Sequence, residues 1–302
     1  MFYLVKFAAV CKKMNMRREI QGAGLLIPIG GGEDRGEETD PILPFEEKGV
    51  LKHVLTLANG VDSRVVLVTS ASSIPDEVSE QYRDGFKRLG CKSLCHYHIT
   101  SQEECEDEKL LKTFSKADIV MFSGGNQSRL PKFIGKTSLH KLLMDRYSNE
   151  GLVIAGTSAG AMAMSKFMIA GGSASESLVK GAVRMKRGFG FIPGLIIDTH
   201  FVRRGRFGRL AEAVAKYPNC LGIGLAEDTG VVIQSEREFR VIGSGMAIVM
   251  DPRTLKHNNH ELLEPGTPLS MTGMTVHFLA NGDTFSLEDN QVKVLPMSAD
   301  FI

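Results

Sequence analysis

Short apolar runs recur along this chain, separated by stretches whose apolar positions fall at helical spacing. The runs are residues 24–29 (GLLIPI), 64–69 (RVVLVT), 93–99, 117–122 (ADIVMF), 152–155 (LVIA) and 194–197 (GLII). Residues 42–58 and 76–89 carry the helical pattern between the first three, and another helix precedes residue 152. Runs of four to six residues alternating with helices predict an α/β fold, a mostly parallel sheet flanked by helices. Beyond Phe239 the pattern changes to short alternating runs and turns, in residues 239–251 and 276–285. That change predicts antiparallel strands near the C-terminus, with Asn281-Gly282-Asp283 as a hairpin turn between two of them.

Three loops of small residues fall at the carboxyl ends of the predicted strands: residues 30–36, 124–127 and 156–161. Ligands gather at those ends in open α/β sheets. The third loop, Gly156-Thr157-Ser158-Ala159-Gly160, has the Gly-x-Ser-x-Gly pattern of a nucleophile elbow, where small neighbours let a serine stand on an exposed strand-to-helix turn. In this reading Gly156 and Gly160 clear space for Ser158. The same pattern also serves plain turning of the chain, so the rest of the sequence must supply a base and an acid.

Of the eight histidines, only His200 lies between the elbow and the β-rich tail. It ends the run Ile197-Asp198-Thr199-His200, a strand-end position suited to a general base. Two carboxylates answer the need for an orienting acid: Glu227, at the end of the run beginning at Leu221, and its competitor Glu176. Ala159 and Gly125 supply backbone amides for an oxyanion, and Gln127 borders the same pocket. Arg203, Arg204, Arg206 and Arg209 crowd seven positions just after His200. Arginines are unfavourable at a helix start, yet guanidinium forks bind carboxylates bidentately. The cluster therefore points to an acidic substrate, with Asp198 placed to steady one arginine.

The bulk numbers limit the alternatives. A chain of 302 residues can bury a large core, read here as one domain over residues 21–302, β-rich from about 239, behind an N-terminal extension of residues 1–20. Hydrophobic residues at 43% and charged residues at 24% fit a soluble globular protein. The net charge of +1 offers no general field for nucleic acid. No apolar run approaches the ~20 residues of a membrane span. The apolar start at residues 1–11 has no basic residue ahead of it, which argues against a signal peptide. Five cysteines without framework spacing suggest reduced thiols in a cytoplasm.

Taken jointly, Gly124-Gly125-Asn126-Gln127, the elbow motif, Asp198-x-His200-Phe201 with Arg204, Arg206 and Arg209, and Gly222-Ile223-Gly224-x-x-Glu227-Asp228-Thr229 resemble the cyanophycinases in order and spacing. These are serine peptidases related to the aspartyl dipeptidases, on a flavodoxin-like fold similar to class I glutamine amidotransferases. The resemblance covers residues 27 to 250. It implies an exopeptidase that releases β-Asp-Arg dipeptides from cyanophycin (multi-L-arginyl-poly-L-aspartate), with Ser158 as nucleophile and His200 as base. Both Glu227 and Glu176 sit where such an acid is found. The resemblance makes Gln127, Asp198, Arg204, Arg206 and Arg209 substrate-binding candidates, implies a homodimer, and requires no metal or organic cofactor. One position departs: Thr199 stands where a glutamine is expected, which puts the polymer specificity in doubt more than the catalytic class. The alternatives are a dipeptidase for N-terminal aspartyl peptides and a catalytically silent protein that binds acidic peptides.

Other features have plainer readings. Cys91, Cys95, His96 and His98 have no second cluster to complete a zinc site, so they read as a strand. The loop at residues 30–36 lacks nucleotide-binding spacing and reads as a border of the site, with Glu33 or Asp34 available to a cationic group. The acidic run at residues 103–108 reads as a solvated helix start, and the fourteen methionines as core filler.

Overall fold

The computed structural model describes residues 23–173, 176–234 and 237–302. The extension expected over residues 1–20 lies outside them. Five strands, β1 (Leu25–Ile29), β2 (Arg64–Val68), β3 (Ser93–Tyr97), β4 (Ile119–Phe122) and β5 (Val153–Thr157), alternate with helices. They run parallel in the spatial order β1-β5-β4-β2-β3. The continuous apolar runs follow from burial on both faces. Leu25, Ile27 and Ile29 pack with Val50, Val54, Tyr82 and Phe86 from the helices Val50–Leu57 and Pro75–Arg88. Leu26 turns to the opposite core with Val66, Phe122 and Ile154, covered there by Leu139 and Leu143 of the helix Ser138–Asn149.

The chain continues through a ribbon of β6 (Phe167–Gly171) and β7 (Arg184–Arg187), then β8 (Leu195–Asp198) and β9 (Leu221–Leu225). Next come β10 (Thr229–Gln234), β11 (Glu238–Gly243), β12 (Ala247–Asp251), β13 (His257–Asn258) and β14 (Met271–Thr272). The last three strands are β15 (Thr275–Leu279), β16 (Thr284–Ser286) and β17 (Val292–Lys293). β10, β11, β16 and β17 extend the first sheet beyond β1, giving nine strands. A second sheet has the order β15-β12-β9-β8. Its Ile196, Ile223 and Val249 share the core of Leu26. The molecule is thus an α/β fold with a largely parallel centre and antiparallel strands toward the C-terminus.

Three expectations shift. The antiparallel region begins at β10 rather than near Phe239, because the chain reverses at Asp228 (φ +45°) and β10 returns along β1. Asn281-Gly282-Asp283 is not a hairpin turn: β15 belongs to the second sheet and β16 to the first. Buried Asn281 bonds Gly243 O at 3.0 Å and both backbone groups of Ile302, pinning the handover between sheets. The helical stretch at residues 42–58 breaks at extended Gly49 into Phe45–Lys48 and Val50–Leu57. The acidic run does start a helix, with Asp107 Oδ1 accepting from Leu110 N at 2.8 Å. His96 Nε2 and His98 Nδ1 both meet Thr69 Oγ1, at 2.7 and 3.2 Å.

Candidate active site

Thr157 ends β5, Ala159 begins a helix, and Ser158 is the single residue between them. Its φ of +50° and ψ of −105° lie where a side chain costs about 1–3 kcal/mol. The neighbouring structure holds it there: Ser158 N donates to Ile29 O at 2.9 Å and Ser158 O accepts from Met162 N at 3.1 Å. The glycines of the motif clear space for backbone rather than for the serine. A Cβ on Gly160 would stand 2.3 Å from Phe122 O, and one on Gly156 2.7 Å from Gly160 C. They let the short helix press onto β4 and β5, which turns Ser158 outward.

His200 follows β8, Glu227 follows β9, and the loop after β1 meets both. His200 has φ +47°, and its amide donates to Gly30 O at 2.8 Å. Gly31 (φ +94°) lies flat beneath the imidazole, where a Cβ would come within 2.5 Å of the ring. Ser158 Oγ is 3.0 Å from His200 Nε2, and His200 Nδ1 is 2.6 Å from Glu227 Oε1. The remaining carboxylate oxygen accepts from Arg203 Nη1 at 2.8 Å. Partial burial pushes the Glu227 carboxyl up, but the hydrogen bonds from His200 and Arg203 outweigh it and hold the group below its ordinary range. Glu176 is exposed in the turn region after β6, and the carboxylate facing Nδ1 is Glu227.

Gly124 borders the serine, since a Cβ there would lie 3.5 Å from Ser158 Cβ. Gly125 has φ +134° and runs so close to Ala71 that a Cβ would fall 2.1 Å from its carbonyl oxygen. Neither the Gly125 nor the Ala159 amide donates to another group among the described residues. Ala159 N belongs to the open first turn of its helix. Gln127 is half-buried and donates from Nε2 to Ile169 O at 2.9 Å.

The arginine cluster divides in two. Arg209 and Asp198 are buried and face one another. Arg209 Nε donates to Asp198 Oδ2 at 2.8 Å, Nη2 bonds Oδ1, and Nη1 reaches Gly172 O at 3.3 Å. Asp198 Oδ1 also accepts from Thr199 N at 2.8 Å and Arg206 Nη1 at 3.3 Å. The expectation that Asp198 and Arg209 touch substrate thus meets a geometry in which each is occupied by internal partners. Arg206 remains half-buried, donating to Thr199 O at 2.7 Å. Burial first, then the nearby Arg209 and Arg204 charges, pull it down to about 10 against the opposing pull of Asp198. Arg204 is exposed. Thr199 is buried, and its Oγ1 has no hydrogen-bond partner among the described residues.

Glu33 and Asp34 are buried, not open to a cationic ligand. Glu33 Oε2 accepts from Thr157 Oγ1 at 2.5 Å, while Oε1 accepts from Tyr82 OH and from Arg35 Nη2. Asp34 Oδ1 accepts from the amides of Gly36 and Glu37, at 2.8 and 3.2 Å. Glu33 is therefore a tie between the loop under His200 and the residue preceding Ser158. In sequence the tie shows only as a carboxylate after three glycines; its partners lie 49 and 124 residues away. Arg203 is visible as one of the clustered arginines, but its attachment to Glu227 is not. No group of His, Cys, Asp and Glu side chains placed to hold a metal ion occurs among the described residues.

Residues 43–241 match the model of peptidase family S51. The chain is 32% identical over 266 residues to a cyanophycinase of Geminocystis herdmanii, covering 88% of this chain and 94% of the relative. It is 31% identical over 281 residues to a cyanophycinase of Trichormus variabilis, covering 93% and 91%. A crystal structure of a peptidase from an acI-B1 Actinobacterium superposes with a TM-score of 0.57 at 19% identity, over 83% of this chain and 95% of that one, and so shares the fold. The family model spans most of the chain, and the fold carries a serine at the elbow between β5 and its helix: the protein belongs to peptidase family S51 and is a serine-type peptidase.

Proposed function

We propose that this peptidase is a cyanophycinase, cutting β-Asp-Arg dipeptides from the polymer with Ser158 as nucleophile, His200 as base and Glu227 as orienting acid. The observation that carries this reading is the unbroken relay from Ser158 Oγ through the imidazole to Glu227, at 3.0 and 2.6 Å. Ser158 Oγ attacks the backbone carbonyl while its proton passes to Nε2. The Nδ1–H bond to Glu227 keeps the ring in the tautomer that can accept it. The oxyanion forms against the free amides of Ala159 and Gly125. His200 then returns the proton to the leaving amine, and water repeats the sequence to release the acyl group.

Arg204 and Arg206 take the substrate carboxylates in this reading, with Gln127 and Thr199 lining the pocket and the Asp198–Arg209 pair holding Arg206 in place. A cation pulled down to about 10 by burial and like charges gains most from an incoming anion. The relatives named as cyanophycinases support the choice of polymer. The thiols of Cys91, Cys95, Cys105 and Cys220 are free, which suits a reducing cytoplasm. No described helix is long and apolar enough to cross a membrane. The homodimer is part of the same reading, and light scattering on the purified protein tests it.

The deciding experiment offers purified protein cyanophycin and a panel of Asp-X dipeptides, with products identified by mass. Release of β-Asp-Arg from the polymer, lost by at least about 10⁴-fold in Ser158→Ala, is the expected result. Cleavage of the dipeptides alone makes the protein an aspartyl dipeptidase. Hydrolysis of neither leaves the acidic-peptide-binding alternative.

A further inference from the structure

A groove outside the catalytic pocket is lined by Asn126, Arg129, Lys132, Lys186 and Arg187, and among the described residues no acidic side chain lines it. The chain as a whole is close to neutral, with 36 basic and 35 acidic residues, so four cations in one groove are a local concentration. Their mutual repulsion works against the compact state until an anion arrives. Lys186 and Arg187 are exposed and form no ion pair among the described residues. The opposite wall is held by internal contacts. Arg129 Nη1 donates to Ser72 O at 2.9 Å, and Arg129 and Lys132 lie 5.6 and 5.2 Å from the ring centroid of Phe133.

The groove lies beside the loop that borders the reactive serine. Its Asn126 is two residues from Gly124, at most about 7.6 Å of backbone, and Gly124 borders Ser158. The other wall is the β6–β7 ribbon, in which Lys186 pairs with Met168 and Arg187 with Phe167. Gln127 Nε2 ties that ribbon to the Gly124 loop through Ile169 O at 2.9 Å. An extended peptide rises about 3.3 Å per residue. An extended chain running along this loop from Gly124 covers the stretch to Asn126 in about two or three residues, so residues beyond a dipeptide are the ones that meet the groove.

We infer that this groove is a binding site for the continuing chain of the substrate, taking carboxylates presented by successive residues of a peptide. The inference rests on the reading of Ser158 as the reactive group, and it selects an oligomeric substrate over a free dipeptide. A solvated basic surface is the plainer account, and it predicts that any polyanion of similar length binds as tightly and loses as much affinity when the charges are reversed.

The test measures binding, so it does not depend on hydrolysis. Fluorescein-labelled poly-L-aspartate of about 20 residues is titrated into Ser158→Ala protein by fluorescence anisotropy at low and high salt. The same titration follows with Lys186→Glu and Arg187→Glu added, and thermal melting certifies the fold. The expected result is affinity at least tenfold weaker at low salt, with the difference shrinking at high salt as screening grows. A change below twofold overturns the inference. So does a labelled 20-mer of thymidylate that binds as tightly and loses as much, since that pattern marks a general polyanion surface. If wild-type protein leaves cyanophycin uncut while poly-L-aspartate binds as expected, the cyanophycinase reading fails and the groove stands.

Discussion

Arg203 Nη1 holds Glu227 Oε2 at 2.8 Å, on the carboxylate oxygen that His200 leaves free. Both oxygens of the carboxylate are thereby engaged, and the group is fixed for the Nδ1–H. Each donor lowers the Glu227 carboxyl, against the opposing effect of burial. A depressed carboxylate contributes stability that is present above its unfolded value and is lost as pH falls through its folded value. Arg203→Ala removes one cause of the depression. Thermal melts across pH are expected to show the variant less stable at pH 7. The gap to wild type closes only as pH falls beneath the ordinary glutamate range and through the lower value that the wild-type carboxyl is held at. A gap that is constant across pH refutes the linkage.

Glu227→Gln and Glu176→Gln separate the two acids that the sequence leaves open. An amide at position 227 turns the imidazole toward the wrong tautomer, and kcat is expected to drop about 10⁴-fold. Glu176 is exposed, and its replacement is expected to change kcat by less than about threefold. Steady-state kinetics on one substrate suffices, and a larger effect at Glu176 reverses the assignment.

Ser158 stands at φ +50°, a conformation that glycine adopts without strain. Ser158→Gly is expected to abolish hydrolysis while raising stability by about 1 kcal/mol in urea unfolding. The gain is net of the lost hydrogen bond to His200. A destabilised variant shows that the elbow is unstrained.

Removing Glu33 strands the buried hydroxyls of Thr157 and Tyr82, whereas the Arg35 guanidinium keeps its bond to Gln81. Each buried hydroxyl left without a partner costs about 1–3 kcal/mol, so the two together cost roughly 2–6 kcal/mol. Glu33→Ala is expected to lose stability on that scale in denaturant unfolding. Thr157→Val is expected to lose only about 1–3 kcal/mol, as one buried partner is left unmatched. Equal losses contradict the tie.

Asp198→Ala leaves Arg209 buried without its partner, at a similar expected cost of about 3–5 kcal/mol. Arg204→Ala, on an exposed side chain, is expected to raise KM for the polymer severalfold with stability within about 0.5 kcal/mol of wild type. Unchanged KM and kcat in Arg204→Ala remove that arginine from the binding site.

Much of the architecture is legible without a structure. Within the runs at residues 64–69 and 117–122, positions 65–68 and 119–122 are apolar throughout because their strands are buried on both faces, and that signature is local. Ser158, His200 and Glu227 stand out because each ends such a run. Asn281-Gly282-Asp283 misleads for the same reason that it is noticeable: the residues specify a turn, while strand partners are chosen by the sheets on either side. β10 is equally opaque, since its place beside β1 depends on residues some 200 positions away.

By itself, then, the sequence determined the alternation of strand and helix, the elbow at Ser158 and the concentration of arginine after His200, all carried by neighbours along the chain. Tertiary structure alone decided which oxygen of Glu227 faces which donor, and that Asp198 and Arg209 satisfy one another. It also turned Glu33 inward to hold Thr157. The physical reason is common to all three. A buried charge must find its partner across the fold, and the partner is chosen by how the elements pack.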